Sequence, residues 1–149
     1  AASDVYKRQD LHNTTPAHFY RAAMEGATYS LRNGFDAFVA AGLQFDTILL
    51  TGGGSKSAQW RQMVADVFNL QVVVPTQPEG AAFGAALQAV WACDRDDGGQ
   101  AALSEVVLEH LQIDDALSAR PDAQRVAAYQ QHYQNFLKHL HVVSPLYAG

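Results

Sequence analysis

The sequence predicts an α/β fold, and three observations carry that prediction. An apolar run, Thr47-Ile48-Leu49-Leu50, leads straight into Gly52-Gly53-Gly54. Trp60, Met63, Val64, Val67 and Phe68 then recur at helical spacing. A β-branched run, Gln71-Val72-Val73-Val74, follows and stops at Pro75. With a long amphipathic stretch before them and two after, the order is helix, strand, glycine turn, helix, strand, helix and a C-terminal helix.

The first helix opens at Thr14-Thr15-Pro16, where Thr15 suits the N-cap and Pro16 the first helical position, which needs no N–H. Phe19, Ala22, Ala23, Gly26, Ala27, Leu31, Phe35 and Phe38 form an apolar face through about Ala41. Arg21, Glu25, Arg32 and Asp36 fall on the other side, with Arg21 and Glu25 spaced for an i,i+4 ion pair worth a few tenths of a kcal/mol. Gly42 ends the helix as the residue after its C-cap. Asp46 reads as a turn residue before the first strand.

The strand, the glycine turn and the helix that follows make a unit in which backbone comes close to a ligand, because glycine has no Cβ to obstruct it. The helix start adds free N–H groups. Two nucleotide motifs fail to match. A P-loop would need glycine before Lys56, where Ser55 stands. A dinucleotide fingerprint from Gly52 would end on Ser57, and no acidic residue lies about 20 positions on, Glu79 being later. On the residues alone a plain tight turn and a ligand loop stay equally open, and each of Ser55 and Ser57 suits a helix cap as well as a ligand contact. Asp66 falls on the polar side of its helix and reads as solvated or paired.

Pro75-Thr76-Gln77-Pro78 forms a stiff loop before a helix from about Gly80 to Ala92. Gly80 and Gly84 lie one turn apart there, among Ala81, Ala82, Ala85, Ala86 and Ala89. Each helical glycine costs about 1 kcal/mol against alanine, so a close approach is expected, either tight packing or room for a ligand. Cys93, the single cysteine, lies beside Trp91's turn and reads as a small packing residue. Asp94 to Gln100 is a charged surface loop, Ala101 to Leu111 a short helix, and Ile113 to Ala119 irregular. Pro121 begins the last helix, whose stripe of Ala128, Tyr129, Tyr133, Phe136, Leu137 and Leu140 suits docking.

Composition narrows the function classes. At 48% hydrophobic and 17% charged, 149 residues suffice for one globular core. A net charge of −5 without a lysine or arginine cluster argues against nucleic acid as a partner. No apolar run approaches the roughly 18 residues of a membrane span. One cysteine forms no internal disulfide, so a reducing cytoplasm fits. The six histidines show no zinc-ligand spacing, and no metal site of the chain's own is expected.

Several segments together resemble the C-terminal domain of the FGGY carbohydrate kinases, nearest to the xylulokinase members. They are His18-Phe19 with Arg21-Ala22-Ala23-Met24-Glu25-Gly26; Thr51 to Ser57 with Trp60-Arg61-Gln62-Met63 and Ala65-Asp66; Glu79-Gly80-Ala81-Ala82 with Gly84-Ala85-Ala86; and Pro121-Asp122-Ala123 with Tyr129, Tyr133 and Phe136. Their order and spacing are more specific than any one of them, and they span residues 10–149. The resemblance implies part of an actin-like (ribonuclease H-like) ATPase domain. It implies ATP bound at Gly52, Gly53, Gly54, Ser55 and Ser57, with Gly53 and Gly54 against adenine and Ser57 reaching the base. His18 would be structural.

The implied reaction is ATP- and Mg2+-dependent phosphorylation of a sugar, foremost D-xylulose to its 5-phosphate. The catalytic aspartate, the phosphate loops and an N-terminal kinase domain are expected upstream, and a homodimer is compatible. The fragment alone is expected to be inactive. The alternatives are a kinase for ribulose, fuculose, gluconate or glycerol, a non-catalytic actin-like nucleotide module, and, more remotely, a Rossmann-type dehydrogenase fragment. Residues 1–9, with Ser3-Asp4-Val5-Tyr6-Lys7-Arg8-Gln9, resemble translated adapter sequence, so the native segment is expected to start near Asp10, without its front.

Overall fold

A computed structural model describes residues 15–77 and 80–147. The expectations for residues 1–9, Asp10, Thr14, Pro78 and Glu79 lie outside the described residues. The chain divides into two units, one of residues 15–44 with 124–147 and the other of residues 45–123.

The first unit pairs two long helices. Helix α1 runs Pro16–Ala40. The Thr15 side chain accepts from the His18 N–H at its start, and the Thr15 hydroxyl also meets His18 Nδ1 at 2.8 Å. Gly42, at φ +91°, ends it: its N–H bonds the Val39 carbonyl, and the Leu43 N–H bonds that of Phe38. That is a Schellman stop, and the left-handed backbone it needs is why glycine stands there. The last helix of the chain packs against α1. It runs Ala123–Val143, beginning two residues beyond Pro121 rather than at it. Tyr129 and Tyr133 are buried on it as expected, whereas Ala128 is exposed.

The face of α1 used in this pairing differs from the expected one. Thr28 and Tyr29 are buried, and the Tyr29 ring meets Tyr129, Tyr133 and Phe136 at 6.4, 5.9 and 5.5 Å between centroids. Each such aromatic pair adds about 0.5–1.5 kcal/mol beyond the area it buries. The expected apolar stripe is largely exposed at Phe19, Leu31 and Phe38. The polar residues border the helix contact instead. Arg21 pairs with Glu25 at 2.8 Å, as expected, and also donates to the Tyr129 hydroxyl. Arg32 pairs with Asp36 at 2.8 Å, and Asp36 accepts from the Tyr133 hydroxyl at 2.7 Å.

The second unit is a β–α–β unit with additions. Strand β1 (Thr47–Leu49) lies parallel to β2 (Gln71–Val73), with Ile48 opposite Val72. The Leu50 N–H extends the ladder to the Val73 carbonyl. Helix α2 (Ala58–Phe68) connects them and stops at Asn69, which takes the left-handed conformation that asparagine tolerates. The core is Val64, Ala65, Val72 and Ala119, with Ile48, Leu50, Trp60 and Phe68 packed around it.

Three expectations for this unit change. Helix α3 (Gly80–Asp96) continues one turn past Ala92, because Gly98 at φ +90°, not the charged run before it, supplies the stop. The Gly98 N–H bonds the Arg95 carbonyl and the Gly99 N–H that of Asp94, a second Schellman ending. Cys93 is exposed on α3 and packs no core. Beyond helix α4 (Leu103–His110), residues 113–119 are not merely irregular. They run antiparallel to β2, with bridges Pro75–Ile113 and Val72–Ala119, and a single 3-10 turn (Asp115–Leu117) takes up the extra length. With that, the last helix, Ala123–Val143, is α5.

Candidate functional site

The glycine turn is built from the end of β1 to the first turn of α2. Gly52 adopts φ +77°, ψ −168°, a backbone region that a side chain would strain. Gly53–Lys56 then make one 3-10 turn. The Ser55 N–H and hydroxyl both bond the Gly52 carbonyl, at 3.2 and 2.7 Å, and the Ser57 N–H bonds that of Gly54. Ser57 caps α2: its oxygen accepts from the Trp60 N–H at 3.2 Å, and its hydroxyl points to Gln59 Oε1 at 3.4 Å.

The three glycines and two serines singled out in the sequence are therefore brought together, but in different roles. Ser55 is only 3% exposed and its hydroxyl is spent on Gly52, so its side chain serves the turn from within. Ser57 is half-buried and works as the cap, the plainer of its two expected roles. Gly54 makes room for protein: a Cβ there would lie 3.0 Å from the Trp60 ring. Gly53 has nothing within 4 Å of where its Cβ would be, so this residue presents bare backbone to open space.

Two residues given no part in the site by the sequence reading also shape the turn. The Arg61 guanidinium, on a residue 8% exposed, donates to the Ser55 carbonyl at 2.7 Å. Thr51 meets the start of α3, where a Cβ on Gly80 would lie 3.1 Å from the Thr51 hydroxyl. The close approach expected at this helix is thus real at Gly80, whereas Gly84 has nothing within 4 Å. A signal for Arg61 existed: it lies four residues after the capping Ser57, where a long side chain can turn back over the helix start.

The aspartates near the turn do no chemistry that the geometry can identify. Asp46 is exposed in a bend before β1. Asp66 is not on a solvated face but 1% exposed, accepting from Gln62 Nε2 at 2.9 Å and from the Asp122 N–H at 2.8 Å. It ties α2 to the segment carrying Ala119, as does Gln62 through the Arg120 carbonyl. Among the described residues no group of three or more His, Cys, Asp or Glu is placed to hold a metal ion, and no helix is long and apolar enough to cross a membrane.

Comparison with known proteins gives this turn a context. Residues 6–93 match the model of the FGGY family of carbohydrate kinases, C-terminal domain. The chain is 42% identical over 131 residues to a xylulose kinase of Haemophilus influenzae, across 88% of this chain and 26% of that protein. It is 35% identical over 138 residues to a xylulose kinase of Escherichia coli, across 92% of this chain and 27% of that protein. The fold matches the crystal structure of ligand-bound xylulose kinase from Lactobacillus acidophilus with a TM-score of 0.77 at 21% identity, over 91% of this chain and 26% of that one. The chain thus spans about a quarter of the length of the curated relatives it matches.

Proposed function

The chain belongs to the FGGY family of carbohydrate kinases, and from that premise we propose that it forms the adenosine-binding part of an actin-like kinase that phosphorylates D-xylulose to D-xylulose 5-phosphate. One observation carries the reading at the level of geometry. Gly53 offers open backbone on a turn in which Ser55 and Ser57 are fixed by internal contacts. A flat apolar ring can lie against such a surface without displacing protein, and a turn already held in place loses little entropy on binding it. Gly52 and Gly53 would form the face, with Gly54 and Ser55 behind it, and Ser57, half-buried at the helix start, would meet the base's edge.

Phosphoryl transfer relies on positioning and on neutralising charge around the phosphates. Mg2+ would supply part of that neutralisation. The described residues provide no cluster to hold it, so its ligands would be the nucleotide and groups other than the described residues. The base that takes the sugar's proton would likewise be a group other than the residues of the turn. The choice of D-xylulose rests on the xylulose kinases among the relatives.

The test is a coupled ADP-release assay on the full-length open reading frame, with ATP, Mg2+ and a panel of pentuloses, gluconate and glycerol. Preference for D-xylulose is expected. Turnover of another sugar would keep the kinase and replace the substrate. ATP binding without turnover of any sugar would leave a non-catalytic nucleotide module.

A further inference from the structure

We infer that Arg61 is the positioning residue of the glycine turn: acting through the Ser55 carbonyl, it holds the Gly53 backbone where the nucleotide ring meets it. The inference deepens the reading of this turn as the seat of adenosine and rests on it. Arg61 is 8% exposed, yet among the described residues its side chain joins no ion pair and makes one hydrogen bond, to Ser55 at 2.7 Å. A guanidinium carries five N–H donors, and burying one without a carboxylate is costly. A plain apolar residue would pack the same space without that cost.

What the arginine adds is direction. Its own N–H closes the first turn of α2 on the Ser57 carbonyl at 3.0 Å, while its side chain turns back past the cap to Ser55. The turn is then held at Ser55 by Arg61 and at Ser57 by the Trp60 N–H, with the Trp60 ring leaving no room for a side chain on Gly54. Gly53, next in line, inherits its position from them. Removing the Arg61 bond frees the Ser55 carbonyl and lets the exposed face shift.

The experiment uses the full-length kinase, with ATP and D-xylulose as probes and Arg61→Met, Arg61→Lys and Gly53→Val as variants. Arg61→Met keeps the length of the stem and removes the donors. It should raise the KM for ATP about tenfold, the loss expected for one charge-assisted hydrogen bond, while the KM for D-xylulose stays within about twofold. Arg61→Lys, which retains a charged donor but not the fork, should recover part of the loss. A lower melting temperature with an unchanged KM for ATP, or an equal rise in both KM values, would overturn the positioning role. Should Arg61→Met not fold, Arg61→Lys decides alone, by an ATP-selective rise or none. Gly53→Val separates the two ideas: if it raises the KM for ATP and the Arg61 variants do not, only the arginine's role falls. An unchanged KM for ATP in Gly53→Val removes the turn's nucleotide role, and that of Arg61 with it.

Discussion

Gly53 and Gly54 are neighbours in sequence with opposite surroundings, and substitution should separate them. A methyl on Gly54 would press on the Trp60 ring at 3.0 Å, and Trp60 itself packs against the core. Gly54→Ala should therefore lower stability by about 1–3 kcal/mol, the usual cost of overpacking, seen as a lower denaturant midpoint. Gly53→Ala meets nothing and should leave the midpoint unchanged or slightly raised. Equal losses from the two would mean that the turn is not divided in this way. Tyr29 supplies a second contrast. Its hydroxyl is buried with no partner among the described residues, while its ring is central to the α1–α5 contact. Tyr29→Phe keeps the ring and removes the orphan, so it should be neutral or stabilising by up to about 1 kcal/mol, whereas a clear loss would reveal a partner for that hydroxyl.

At the scale of elements, α1 and α5 are joined by groups that respond to alkaline pH. Burial pushes the phenols of both Tyr29 and Tyr133 above the ordinary tyrosine range, with Asp36 adding to the shift at Tyr133 and Glu25 at Tyr29. A phenol whose folded pKa is raised contributes stability in full below its unfolded value, about 10, and loses it as pH climbs past that value. The denaturant midpoint should hold from about pH 8 to 9.5 and fall by pH 11. A flat profile through pH 11 would contradict the raised phenols. The sequence discloses the ends of α1 better than its face. Thr15, Pro16 and Gly42 act locally, so α1 was bounded correctly. Periodicity located an apolar stripe on it but could not say which stripe meets α5, because that depends on a partner far along the chain. The antiparallel run of residues 113–119 stayed hidden for a related reason: its bridges are backbone bonds interrupted by a 3-10 turn, with no alternation of side chains to read. At the site, three glycines after a strand marked the turn, but the division of labour between Gly53 and Gly54 depends on where Trp60 packs.

At the scale of the molecule, the exposed stripe on α1 and the length of the relatives bear on one another. Phe19, Leu31 and Phe38 are 52%, 59% and 57% exposed, along a helix that presents Tyr29 and the polar residues beside it to α5. Relatives that the chain matches over most of its own length are much longer, the match covering 26–27% of them. Single exposed apolar residues need no explanation, but several large ones on one helix suit a surface that another segment covers. The prediction is a difference in sign between two contexts. In the isolated chain, replacing both Leu31 and Phe38 by serine removes surface that favours self-association and should cost under about 0.5 kcal/mol, because neither side chain is buried there. In the full-length kinase the same double substitution should lower stability by several kcal/mol, roughly 2–5 for each large apolar side chain that further polypeptide covers. Urea midpoints of both proteins, with and without the substitutions, make the comparison, and light scattering follows association of the isolated chain. Equal, small effects in both contexts would show that this face of α1 stays in solvent in the longer protein too. A large loss confined to the longer protein would show that the stripe the sequence displays is a buried one, and that its partner lies outside these residues.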